Sequence, residues 1–164
     1  MSDAEVREFL DEERVVIVST AGPRGWPHSI PLWYTVREGA ADADVPADAA
    51  ATTTAPELWA WTFRASQKVR NLERDPRATL LVEAGDTYDQ LRGVMIEARA
   101  TLHTDPSVCL EFGEELALRY AEGISSINGD ARAALTAQAA KRVTIQFHPV
   151  RLATWDHRKL GGGY

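Results

Sequence analysis

Apolar and polar residues alternate along much of the chain in short runs separated by turn residues, the period of a strand that buries one face. Arg14-Val15-Val16-Ile17-Val18-Ser19-Thr20 is predicted as a strand, preceded by a short helix near Asp3 to Glu12. A turn at Gly22 to Gly25 leads into a second strand, Pro27-His28-Ser29-Ile30-Pro31-Leu32-Trp33-Tyr34, in which the two prolines leave ladder positions open. Leu58 to Phe63, Arg77 to Glu83 and Leu91 to Leu102 are further strands. Val143 to His148 alternates cleanly, and Pro149 is expected to break it before Leu152 to Trp155 resumes. Helical spacing replaces alternation in Pro106 to Tyr120, which carries Val108, Leu110, Phe112, Leu116 and Leu118, and in the Ala-rich stretch Asp130 to Ala140. Between Gly39 and Pro56 the only large apolar side chain is Val45, so this Ala/Asp/Thr-rich segment is expected to be a mobile loop, with a lid over a ligand as an alternative. The whole of 1–164 is expected to form one domain.

The most chemically informative junction is Thr62-Phe63-Arg64-Ala65-Ser66-Gln67-Lys68-Val69-Arg70, where an aromatic strand runs into a short basic helix that Asp75-Pro76 would stop. Ser66 is placed to cap that helix. Unpaired amides at the helix start, the positive end of its dipole, the hydroxyls of Thr62 and Ser66 and the ammonium of Lys68 together suit a phosphate. The same residues also fit a capped surface helix with solvated charges. The upstream strand adds a second feature: backbone N–H groups around Leu32 to Tyr34 would face a planar ligand, with Trp33 or Tyr34 as an aromatic wall. A phosphate corner beside a flat wall points to a flavin-like nucleotide.

These segments resemble the flavin and deazaflavin split-barrel oxidoreductases related to pyridoxamine 5'-phosphate oxidase. The likeness rests on P-H-S-I-P-L-W, on W-T-F-R-A-S-Q-K-V-R-N-L-E-R-D-P, on Y-D-Q-L-R-G-V-M-I-E-A-R-A and on the closing W-D-H-R-K-L-G-G-G-Y, in that order. It implies a mainly β fold, a six-stranded antiparallel split barrel with flanking helices, and a homodimer with the cofactor at the subunit interface. It also implies that Thr62, Ser66 and Lys68 bind the phosphate with Arg64 and Arg70 as helpers, and that Pro31, Leu32 and Trp33 face the ring. Arg92 and Gly93 match a strand that the partner subunit brings near the cofactor. The cofactor implied is a deazaflavin (coenzyme F-420) or FMN; the run W-D-H-R-K looks like the deazaflavin branch, which places that coenzyme first. The 39–56 segment is an insertion relative to the tight turn usual in the family.

A net charge of -6 argues against general nucleic-acid binding, which needs a basic footprint, and makes the cluster Arg64, Lys68, Arg70 and Arg74 stand out. No apolar run approaches the roughly 18 residues that span a bilayer, and the acidic N-terminus is unlike a signal peptide, so a cytoplasmic protein is expected. The single cysteine, Cys109, excludes an internal disulfide and is expected to serve packing. The histidines show no metal-ligand spacing, and hydrolase, P-loop and dinucleotide fingerprints are absent. His28, just ahead of the ring-facing strand, is either a substrate contact or a structural hydrogen-bonding residue. Trp155, Arg158 and Lys159 either end a strand in solvated charge or meet the edge of an anionic small-molecule substrate. With the redox chemistry carried by the ring, no side chain is required as a nucleophile. A non-catalytic carrier of flavin, haem or tetrapyrrole is the alternative from another class, and pyridoxamine 5'-phosphate oxidation stands below both for want of an arginine-rich C-terminal signature.

Overall fold

The computed structural model describes residues 1–39, 56–121, 123 and 125–161. Apart from Gly39 and Pro56, the expected 39–56 loop lies outside the described residues. Helix α1 (Asp3–Glu12) starts where Ser2 and Glu5 cap each other reciprocally, and it buries Val6, Phe9 and Leu10, residues spaced for one helical face. Strands β1 (Val15–Ala21), β2 (Pro27–Arg37), β3 (Glu57–Phe63), β4 (Arg77–Ala84), β5 (Arg92–His103) and β6 (Arg142–Asp156) follow. They close into a six-stranded antiparallel barrel in the order β1-β2-β3-β6-β5-β4, with β4 paired back onto β1.

The alternation read in the sequence is the alternation of the barrel wall. Val16, Val18, Leu80, Val82, Val94, Ile96, Ile145 and Phe147 point inward and form its core. Two short helices plug the ends: α1 sits where β5 begins, and α2 (Gln67–Arg74) sits at the opposite end and contributes Val69 and Leu72 to the same core. Helices α3 (Pro106–Tyr120) and α4 (Gly129–Ala139) pack outside the wall, where Cys109, Phe112 and Leu116 meet Trp59 and Trp61 of β3. A Cβ on Gly113 would press into the Trp61 indole, so this glycine sets how closely α3 approaches the sheet. Among the described residues no helix is long and apolar enough to cross a membrane.

The expected break at Pro149 does not occur, and β6 runs unbroken from Arg142 to Asp156. Ala98 pairs with Pro149 while Glu97 pairs with Arg151, leaving Val150 as an extra residue on β6. A bulge of this kind accommodates a residue without an N–H, which is why the proline interrupts the register rather than the strand.

Beneath α3 the outer face of the barrel carries a buried polar network. The Glu57 carboxylate, 3% exposed, accepts from His148 Nδ1 at 2.8 Å, Gln146 Nε2 at 2.8 Å and the Trp59 indole at 3.2 Å. Burial alone would raise this carboxyl, but the hydrogen bonds from His148 and Gln146, with His148's charge and the Trp59 N–H, outweigh it and hold Glu57 below the ordinary glutamate value. A carboxyl lowered in the folded state stabilises above its unfolded value and loses that contribution as pH falls through the folded one. The urea midpoint should therefore decline as pH drops below the ordinary value of 4.5. Glu57→Gln, expected to cost roughly 1–3 kcal/mol at neutral pH, should show a shallower acid decline.

Candidate functional site

Strand β2 changes partner part-way along. All of Pro27 to Trp33 pairs with β1, but pairing with β3 begins only at Tyr34↔Ala60. Upstream of that point β2 leaves its neighbour and the barrel splits. Alternation of an antiparallel ladder fixes which groups face the gap. Tyr34 sends its N–H to the β1 side, where the Tyr120 hydroxyl accepts it at 3.1 Å and lies 2.6 Å from the Arg14 carbonyl, taking over where β1 ends. Residues of opposite parity, Pro27, Ser29, Pro31 and Trp33, therefore face the free edge. Both prolines stand where a missing N–H costs nothing, and Trp33 presents its N–H to the gap. The expectation of open donors from Leu32 to Tyr34 thus narrows to Trp33, since Leu32 and Tyr34 turn theirs toward β1.

The aromatic wall narrows in the same way. Tyr34 is fully buried, with its hydroxyl donated to the Leu10 carbonyl at 2.7 Å, and belongs to the core. Trp33 is 57% exposed; one face of its indole stacks on Tyr120 with centroids 4.6 Å apart. Together with Pro31 and Leu32 it lines a cleft of about 610 Å³. The opposite wall, formed by Trp61, Gly113, Leu116, Leu135, Gln138 and Arg142, was not foreseen from the sequence. The helical face of Gly113, Leu116 and Ala117 was legible as a spacing, but nothing local says that it docks beside β2.

At the end of β3, one residue beyond Trp61 and on the strand's other face, the chain turns into α2. Thr62 and Lys68 are both buried, and Lys68 Nζ donates to Thr62 Oγ1 at 2.7 Å. Among the described residues that neutral hydroxyl is the only hydrogen-bond partner of the ammonium, and burial pushes Lys68 below the ordinary lysine value. Ser66 holds the N-cap position but makes no capping bond: its Oγ is buried and without a partner. The first-turn amides of α2 consequently lack both an intrahelical acceptor and a side-chain cap. Asn71, fully buried, ties α2 to β1 through Thr20 Oγ1 at 3.0 Å, and Thr20 in turn reaches the His28 carbonyl. His28 thus lies on the same end of the barrel, with its Nδ1 buried and unpartnered. Arg64 and Arg70 are exposed on the rim; Arg64 donates to the Thr104 carbonyl at 2.9 Å.

The remaining candidates stand elsewhere. Arg92 and Gly93 open β5 and pair with Asp156 and Trp155 at the close of β6, at the α1 end of the barrel, opposite α2. Arg92 pairs with Glu12 at 2.9 Å and covers the Phe9 ring, while a Cβ on Gly93 would overlap the Trp155 indole. Arg158 is held bidentate by Asp156, and Lys159 pairs with Glu5. Within one chain, then, Thr62, Ser66, Lys68 and His28 are gathered, Pro31 to Trp33 border them along β2, and Arg92, Gly93, Trp155, Arg158 and Lys159 are not.

The sequence model of pyridoxamine 5'-phosphate oxidase matches residues 2–156. The chain belongs to the pyridoxamine 5'-phosphate oxidase family. A crystal structure of a conserved hypothetical protein from Mycobacterium tuberculosis is 34% identical, covering 100% of this chain and 90% of that one with a TM-score of 0.80. The family fold also recurs in an F-420 reductase at 20% identity, with 90% and 94% of the two chains covered and a TM-score of 0.59. A haem storage protein from Vibrio cholerae, at 13% identity with 93% and 92% covered, has a TM-score of 0.60. No curated protein matches the sequence.

A desolvated ammonium bonded to a neutral hydroxyl costs folding free energy. Lys68→Met keeps the side chain's length and removes the charge. It is expected to raise the urea midpoint of the cofactor-free protein, by up to about 1 kcal/mol allowing for solvent screening.

Proposed function

We propose that this chain is an oxidoreductase that grips the phosphate of a deazaflavin coenzyme (F-420) or of FMN at the Ser66–Lys68 corner, with the ring along the free edge of β2. The observation that carries the proposal is the buried Lys68 ammonium, bonded among the described residues only to Thr62, beside a Ser66 hydroxyl with no partner among them. A phosphate fits this donor set: it would accept from the ammonium, the hydroxyls and the first-turn amides of α2. The ring, when bound, supplies the hydride chemistry. The chain supplies position: the Trp33 N–H faces the ring edge, the Trp33 and Trp61 indoles exclude water, and Lys68 balances the charge of the nucleotide end. Exposed Arg64 and Arg70 at the rim suit the polyanionic tail of the deazaflavin coenzyme, and the name of the F-420 reductase with the same fold agrees, which ranks it ahead of FMN.

Arg92, Gly93 and Trp155 reach such a site only if a second copy of the chain brings its own α1 end to this corner, so the proposal includes a homodimer. The acceptor is a small organic molecule. Pyridoxamine 5'-phosphate is the weaker choice of substrate, because Arg158 and Lys159, the cations that would meet its phosphate, are neutralised by Asp156 and Glu5.

Lys68→Ala and Ser66→Ala should each weaken binding of FMN or the deazaflavin by roughly 1–3 kcal/mol, about five- to 150-fold in Kd, with the circular dichroism spectrum unchanged. Unaltered affinity in the double variant would place the phosphate elsewhere. Oxidation of the reduced cofactor by quinones or enones is expected in the wild type; tight binding without any acceptor-dependent turnover would leave a carrier instead.

A further inference from the structure

The cleft beside β2 contains a second unsatisfied cation that the phosphate corner does not use. Arg142, first residue of β6, lies with its guanidinium carbon 4.5 Å from the centre of the Trp61 ring and 4.3 Å from that of Phe63. Its Nη2 donates to Gln138 Oε1 at 3.2 Å, and among the described residues no carboxylate pairs with it. Its Nε is buried and has no acceptor. The indole Nε1 of Trp61, a residue only 8% exposed, is buried and unpartnered as well. Two unpaired N–H donors therefore belong to residues that stack on each other and line the cleft, one of them on a permanent charge. Apart from Gln138, the rest of the lining is apolar, with Val15, Leu32, Leu116 and Leu135 alongside the Trp33 indole.

Buried donors without acceptors are costly, and an acceptor arriving with a ligand recovers that cost. A carboxylate matches what is present: one negative charge for the guanidinium, and two oxygens for two separate N–H groups. A phosphate would leave oxygens facing leucine and valine. An alcohol or amide would leave the guanidinium uncompensated, and an amine would repel it. The body attached to the carboxylate must be apolar, and the indoles of Trp33 and Trp61 favour a planar one.

We propose that this cleft binds a flat, apolar carboxylate through Arg142 and the Trp61 indole N–H, and that such an acid is the substrate class of the protein. Naming the acid a substrate rests on the oxidoreductase reading; the binding itself does not. Calorimetric titration of the cofactor-free protein with trans-cinnamate and with cinnamyl alcohol, which share a skeleton and differ in the head group, isolates the charge. Cinnamate should bind at least about tenfold more tightly than the alcohol. Arg142→Gln and Trp61→Phe should each remove most of that preference while leaving the alcohol's affinity in place, and Lys68→Ala should leave it intact. Equal affinities for acid and alcohol, binding of neither, or a preference that survives in both cleft variants would overturn the proposal. Titration with FMN and the deazaflavin separates the two ideas: cofactor binding without a carboxylate preference sinks only this inference, and a carboxylate preference without cofactor binding sinks only the redox assignment.

Discussion

Everything functional in this molecule depends on where β2 parts from β3. A barrel wall must satisfy its backbone groups, and six strands closed in a ring do so without leaving an edge. This one opens a gap upstream of the Tyr34↔Ala60 pair. The gap is tolerable because Pro27 and Pro31 have no N–H to present to it; on the opposite side of β2 the Tyr120 hydroxyl extends the ladder past the first residue of β1, between Arg14 and Tyr34. The same hydroxyl fixes α3, and with it the far wall of the cleft, against β2.

The two ends of the barrel then acquire different characters. At the α1 end the charges are spent: Arg92 on Glu12, Arg158 on Asp156 and Lys159 on Glu5. At the α2 end Arg77 is paired with Asp75, but Lys68 has no carboxylate partner among the described residues. Lys68 leans on a threonine, Ser66 caps nothing, and His28 keeps a buried nitrogen without a partner. Protein interiors pair their polar groups, so a cluster of exceptions marks a place that folding stability alone does not explain. Arg142 and Trp61 continue the pattern up the cleft. Ser66, His28, Arg142 and Trp61 thus border the edge that β2 leaves free, and their unpartnered groups suit anionic or electron-rich partners.

Much of this was written in the chain. Alternation fixed the strands, including the pair that flanks the basic helix, and the spacing of Pro106 to Tyr120 matched α3 residue for residue. The strand-to-helix turn at Ser66 was legible because Thr62, Ser66 and Lys68 are near neighbours in sequence, and their geometry follows from a strand end and one helical turn. Pro149 is the exception: a proline in a strand reads as a stop, and only the partner strand reveals that a one-residue slip at Ala98 absorbs it.

Sequence by itself therefore determined the elements, the family and the strand-to-helix corner at Ser66, because each depends on contacts within a few residues. Tertiary structure alone decided which N–H of β2 faces the gap, that Tyr120 supplies the missing ladder partner, that Trp155 fills the space over Gly93, and that Arg142 stands beside Trp61 with no carboxylate partner among the described residues. Those facts depend on strands and helices distant in the chain meeting at a particular register, and register is fixed by packing around the closed barrel rather than by any local pattern.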